Sequence, residues 1–108
     1  MDKFEAVLLF SPDINADILK NEIDKFKTNL SSQEGKIINE EEWGLRDLSY
    51  NINKFKKAFY NYYQIEISGN YIKNLNKDLS QSENILRFLF IKVDKHQELP
   101  TKLNYEKK

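Results

Sequence analysis

Between Lys54 and Tyr63 the chain reads KFKKAFYNYY, three lysines among flat rings. Lysine ammonium groups attract phosphates, and exposed rings offer bases a surface on which to stack. That is RNA-binding chemistry, although an alternating strand must turn half of those rings into a core. Other chemistries lack their parts. The single histidine, His96, lies in a polar C-terminal stretch with no partner set by spacing, and reads as a solvated side chain. Glu40, Glu41 and Glu42 are consecutive, so on a strand they point to alternate faces and make no carboxylate pair. They read as a solvated edge that discourages edge-to-edge pairing. The three glycines are isolated and there is no cysteine. This excludes a phosphate-binding loop, a thiolate metal site, a disulfide and a Cys nucleophile. No enzymatic activity, metal, cofactor or small-molecule substrate is expected.

Charge sharpens the RNA reading. The net charge is zero, yet residues 1–53 carry six Lys/Arg against eleven Asp/Glu, and residues 54–108 carry eleven against six. A neutral total argues against gripping nucleic acid by bulk charge and leaves room for a local basic patch. A chain of 108 residues makes one domain. It buries roughly two-thirds of its unfolded surface and needs no covalent staple. The apolar run from Phe4 to Phe10 is too short for a membrane span, and Asp2 and Glu5 do not suit a signal peptide. A soluble protein is expected, and the absence of cysteine is compatible with a reducing compartment.

The elements that must position these residues follow from periodicity. Residues 4–10 alternate as a strand, closed by Ser11-Pro12-Asp13. Leu19, Ile23, Phe26 and Leu30 then form one helical stripe, capped by Asp13 or Asn15 and ended by Gly35. Residues 36–50 read as a long, irregular strand, and residues 51–57 as a polar, basic connection. AFYNYYQIEI, residues 58–67, is the clearest strand. Ser68-Gly69-Asn70 opens a second helix with Ile72, Leu75 and Leu79 on its stripe, and residues 85–93 form the last strand. After Lys95 the residues are charged, aperiodic and expected to be mobile. The order βαββαβ predicts an α+β, ferredoxin-like sandwich over residues 1–95, with a charged tail over 96–108. Right-handed crossovers put the first and third strands at the centre of a four-stranded antiparallel sheet, with both helices on one face.

Helices on one side leave the other side uncovered. With Ala6, Leu8, Tyr63, Ile65, Phe88 and Phe90 under the helices, alternation puts Val7, Leu9, Tyr60, Tyr62, Gln64, Glu66, Arg87, Leu89 and Ile91 outside. An aromatic and aliphatic patch of that kind marks an interaction surface, unless the tail or a second copy covers it. Val7, Leu9, Tyr60, Tyr62, Leu89 and Ile91 are the candidate anchors for a partner protein.

The stretch WGLRDLSYNIN, Trp43 to Asn53, interrupts a good strand with a glycine, an arginine and a tyrosine. Its Gly44, Arg46, Leu48, Ser49, Tyr50, Asn51 and Ile52 resemble the signature of the bacterial small-subunit ribosomal protein six family. The likeness extends to Lys3-Phe4-Glu5, the Ser-Pro-Asp after the first strand, Tyr63-Gln64-Ile65-Glu66 and Ile91-Lys92. It covers residues 2–95. The resemblance implies a ferredoxin-like protein of a bacterial cytoplasmic or organellar ribosome, monomeric when free. It also implies binding to the central domain of small-subunit ribosomal RNA together with small-subunit ribosomal protein eighteen. A basic partner of that kind can supply phosphate neutralisation that this neutral chain lacks. By the same resemblance Arg46 is the RNA-facing cation and Tyr50 the aromatic of the motif. Lys3, Lys54, Lys56, Lys57 and Arg87 complete the expected RNA-binding set.

Gly44 is expected to permit a bulge that twists an edge strand and re-aims Arg46, after which Leu48 returns to the core. The chain departs from the family pattern at Asp47, where many relatives are basic, and at Asn51, where they carry Pro or Lys. The neighbouring lysines must then supply those phosphate contacts. Asp2 also replaces a common basic residue, leaving Lys3 as the N-terminal cation. A different reading is the RNA-recognition module, which shares this topology and whose third-strand signature Lys57-Ala58-Phe59-Tyr60-Asn61-Tyr62 faintly echoes. A third is a regulatory module that dimerises through its sheet.

Overall fold

A computed structural model of the chain describes residues 2–52 and 54–96. The strand–helix order is β1 (Asp2–Phe10), α1 (Ala16–Ser32), β2 (Lys36–Ile52), β3 (Phe55–Ile67), α2 (Ile72–Ser80) and β4 (Ile85–Val93). A single 3-10 turn, Gly69–Tyr71, leads into α2. The sheet order is β2-β3-β1-β4, with every neighbouring pair antiparallel, so β1 and β3 are central as right-handed crossovers require.

One core joins helices and sheet. Phe4, Ala6, Leu8 and Phe10 of β1 and Tyr63, Ile65 and Ile67 of β3 are buried with Phe26, Leu30, Leu75 and Leu79 from the helices. Leu19, Ile23, Ile72, Phe88 and Phe90 pack around them, so both predicted stripes and the alternation of the central strands hold. The Phe26 ring lies 5.0 Å from that of Tyr63. Asn15 caps α1 by accepting the amide of Ile18 at 2.8 Å.

At the other end of α1, the Gly35 amide returns to Leu30 O and that of Glu34 to Ser31 O, the pattern of a Schellman close. Glu34, not Gly35, takes the left-handed conformation, at φ 65°. Gly35 is required for space: a Cβ there would stand 2.8 Å from Leu30 Cδ1.

The expected connection over residues 51–57 is shorter than its polarity implies. β2 runs to Ile52 and β3 starts at Phe55, so the lysines at 56 and 57 are strand residues. Lys54, at φ 73°, is in the turn. β1 pairs with β3 only as far as Phe59, so this end of the central strand β3 is laddered to β2 alone and can carry exposed lysines. A polar, basic stretch of that kind has the composition of a loop. Residues 97–108, most of the expected tail, lie outside the described residues. His96 is half-buried rather than a freely solvated side chain.

Candidate nucleic-acid interface

The helix-free side of the sheet is only partly open. β2 slips register between Glu42 and Gly44, leaving Trp43 as an extra residue opposite Asn61 and Tyr60. Gly44 makes the bulge possible with φ 78°; nothing lies within 4 Å of a Cβ there, so conformation and not space demands glycine. The bulge lays the Trp43 indole over β3. Its ring stacks on Tyr62 at 5.5 Å between centroids with 10° between planes, and on Tyr60 at 6.2 Å and 24°. The indole N–H donates to Glu41 Oε1 at 2.8 Å, and Arg46 Nε donates to Trp43 O at 3.1 Å. The Arg46 guanidinium lies 5.2 Å from the indole centroid. Gln64, 1 % exposed, accepts from Asn39 and donates to Tyr62 Oη, each at 3.2 Å.

A further irregularity covers more of this face. Asp47 pairs with Lys57, but the next matched pair is Ile52 with Phe55, so β2 carries three residues more than β3 between them. The excess arches inward. Ile52 joins Leu9 and Ala58 in a second buried cluster, with Leu48, Val7, Tyr60 and Leu86 packed on it. Leu48 therefore buries itself on the helix-free side and does not return to the main core. Tyr50, at the crest, is 64 % exposed, and its hydroxyl accepts from Arg87 Nη1 of β4 at 2.9 Å. The Arg87 guanidinium is 5.7 Å from the Tyr50 ring centroid. Because β2 and β4 are opposite edges, this contact spans the sheet. Beneath it is a cavity of about 120 Å³ lined by Leu9, Leu48, Ser49, Tyr50, Ile52, Tyr60 and Arg87.

The predicted site residues divide accordingly. Lys54, Lys56, Lys57, Tyr50 and Arg87 are exposed; the first three share the β2–β3 end that runs beyond β1, whose pairing stops at Phe10 opposite Phe59. Lys57 reaches Asp47 at 3.8 Å, an exposed pair that solvent screens. Lys3 is at the far end of β3, opposite Glu66, to which it is ion-paired at 3.8 Å, and the fold does not bring it to the other lysines. Arg46 is 9 % exposed, which corrects its expected position as an outward cation: the bulge turns it onto Trp43. Among the candidate partner anchors, Leu89 and Ile91 are about half exposed on β4, and Val7 and Tyr60 are half-buried. Leu9 and Tyr62 are 8 % and 3 % exposed, so the expectation of an uncovered ring row fails there, because β2 supplies its own cover.

Comparison with known proteins fits this geometry to a family. The family model for ribosomal protein S6 matches residues 3–92. The small ribosomal subunit protein bS6 of Rickettsia felis is 32 % identical over 103 residues, covering 95 % of this chain and 85 % of that protein. The bS6 protein of Azobacteroides pseudotrichonymphae is 36 % identical over 95 residues, 88 % of this chain and 85 % of its own length. The chain belongs to the ribosomal protein S6 family. The crystal structure of 30S ribosomal protein S6 from Thermotoga maritima superposes with a TM-score of 0.81 at 20 % identity, covering 85 % of this chain and 87 % of that one. It has the ferredoxin-like fold expected from the element order. The relatives of this S6-family chain are structural ribosomal proteins of the small subunit, and it is not an enzyme.

Sequence reasoning missed Trp43 as a cover and Ile52 and Ala58 as a second core. The signal available was the excess length of 36–52 over its partner, which alternation alone does not reveal.

Proposed function

We propose that this S6-family chain is a structural component of the small ribosomal subunit that binds the central domain of small-subunit ribosomal RNA jointly with small-subunit ribosomal protein eighteen. Membership of the family, over residues 3–92, carries the reading. Charge supports the joint binding: a chain of net charge zero needs a basic companion to neutralise phosphates. The β2–β3 end, with Lys54, Lys56 and Lys57, is the proposed phosphate contact, together with Arg87. Arg46 serves from beneath as a positioning residue that holds Trp43, and Tyr50 presents its ring beside Arg87. Leu89 and Ile91 on the β4 edge, with Val7 beside them, are the anchors proposed for the protein partner. The chain is monomeric when free, on ribosomes of the bacterial cytoplasm or of an organelle.

Filter binding to a central-domain RNA fragment, with and without the partner, tests this. Tight binding is expected only with both proteins present, and tight binding by this chain alone contradicts the joint mode. Replacing Lys54, Lys56 and Lys57 with Ala should flatten the dependence of log affinity on log salt by about one for each phosphate that a lysine had neutralised. An unchanged slope removes the lysines from the interface. A sheet-surface platform of the RNA-recognition type is disfavoured, since Tyr62 is under Trp43 and not open to a base.

A further inference from the structure

The cavity beneath the Tyr50–Arg87 contact joins a buried apolar floor to an exposed polar mouth on the helix-free side. Leu9 and Ile52 close its bottom, Tyr60 and Leu48 line its sides, and Tyr50 and Arg87 stand exposed at its rim. At about 120 Å³ it is well below the roughly 300–1,000 Å³ of sites for cofactors or drug-sized ligands. It suits one flat group. A guanidinium has five N–H donors, and Tyr50 takes one of those of Arg87, leaving others for an acceptor at the mouth.

We propose that this cavity receives a single unstacked nucleobase of RNA. The inference rests on the ribosomal reading and gives it a contact of a kind that the lysines do not make. Aromatic walls and an arginine at the rim are the partners that splayed-out bases take in single-stranded RNA. Ile52, in the floor, is two residues from Lys54, so a base in the cavity leaves its own phosphates at the basic β2–β3 end. An apolar side chain from a protein would fill the floor equally well, but would make no use of the Arg87 donors or of that basic neighbour.

The test compares two probes on the full-length chain: hexaadenylate RNA, and an abasic hexamer with the same ribose–phosphate backbone. Affinity comes from amide chemical shifts at residues 48–52. Hexaadenylate is expected to bind about tenfold more tightly, in the range that one stacked base gives. Tyr50→Leu and Arg87→Gln should shrink that ratio toward one while leaving the thermal midpoint within a few degrees. Lys54→Ala should weaken both probes equally. Equal affinity for the two probes overturns the proposal. So does N-acetyltryptophanamide shifting the 48–52 amides where hexaadenylate does not, which makes the cavity a socket for a protein side chain. Failure of the ribosomal reading is seen separately, as no retention of central-domain RNA by the chain with its partner.

Discussion

Gly44 and Gly35 show two different reasons for a missing side chain. Gly44 has empty space around it and a left-handed backbone; Gly35 has an ordinary φ and crowded surroundings. Gly44→Ala should therefore cost about 1 kcal/mol, a purely conformational penalty. Gly35→Ala should cost about 1–3 kcal/mol by overpacking Leu30, and trimming Leu30 should relieve part of that destabilisation. Denaturant midpoints of the two variants and the Gly35/Leu30 double variant check both statements. Tyr63 makes a further residue-scale statement. Burial, opposed by the hydrogen bond from Asn61 and aided by Glu40 and Glu42, pushes its phenol up to about 12 from 10.0. The folded state thus keeps this proton where the unfolded chain has released it. The contribution is whole below pH 10 and disappears as pH climbs toward 12, on the order of 2–3 kcal/mol in all. Tyr63→Phe should remove that alkaline slope in unfolding measurements, and an unaltered slope would assign it elsewhere.

At the level of elements, most of the fold was legible because two periods separate cleanly. The stripes at Leu19–Leu30 and Ile72–Leu79, and the alternation in AFYNYYQIEI, both rest on core-facing positions that the structure buries. What was not legible lies in β2. Its three register slips, after Ile37, Glu42 and Asp47, shift which residues oppose β3, and a slip of one residue exchanges the faces of everything beyond it. Arg46 and Leu48 consequently occupy positions that simple alternation assigned elsewhere. The signature glycine does sit at a bulge, as its place in a strand implies, but the side chain which that bulge delivers, Trp43, is set by the pairing with β3. The turn gives a test of the hairpin itself. Lys54 has φ 73°, so Lys54→Gly should stabilise the fold by up to about 1 kcal/mol, net of the extra freedom glycine gains when unfolded. The same change deletes a proposed phosphate contact. Thermal midpoint and RNA affinity should then move in opposite directions, which a merely damaged hairpin would not produce.

The whole molecule sets a helix-covered face against a face that covers itself halfway. The part left bare belongs to β4, where Leu89 and Ile91 are 53 % and 49 % exposed. If a partner docks there, Leu89→Glu together with Ile91→Glu should abolish co-purification while changing stability by less than about 1 kcal/mol, since neither side chain is in a core. Survival of the complex would move the partner to another surface. No helix among the described residues is long and apolar enough to cross a membrane. The sole tryptophan of the chain is the ring laid flat on Tyr62. Its intrinsic emission therefore monitors the half-covered face from within: any guest that lifts the indole from its tyrosines will shift the spectrum, with no dye attached.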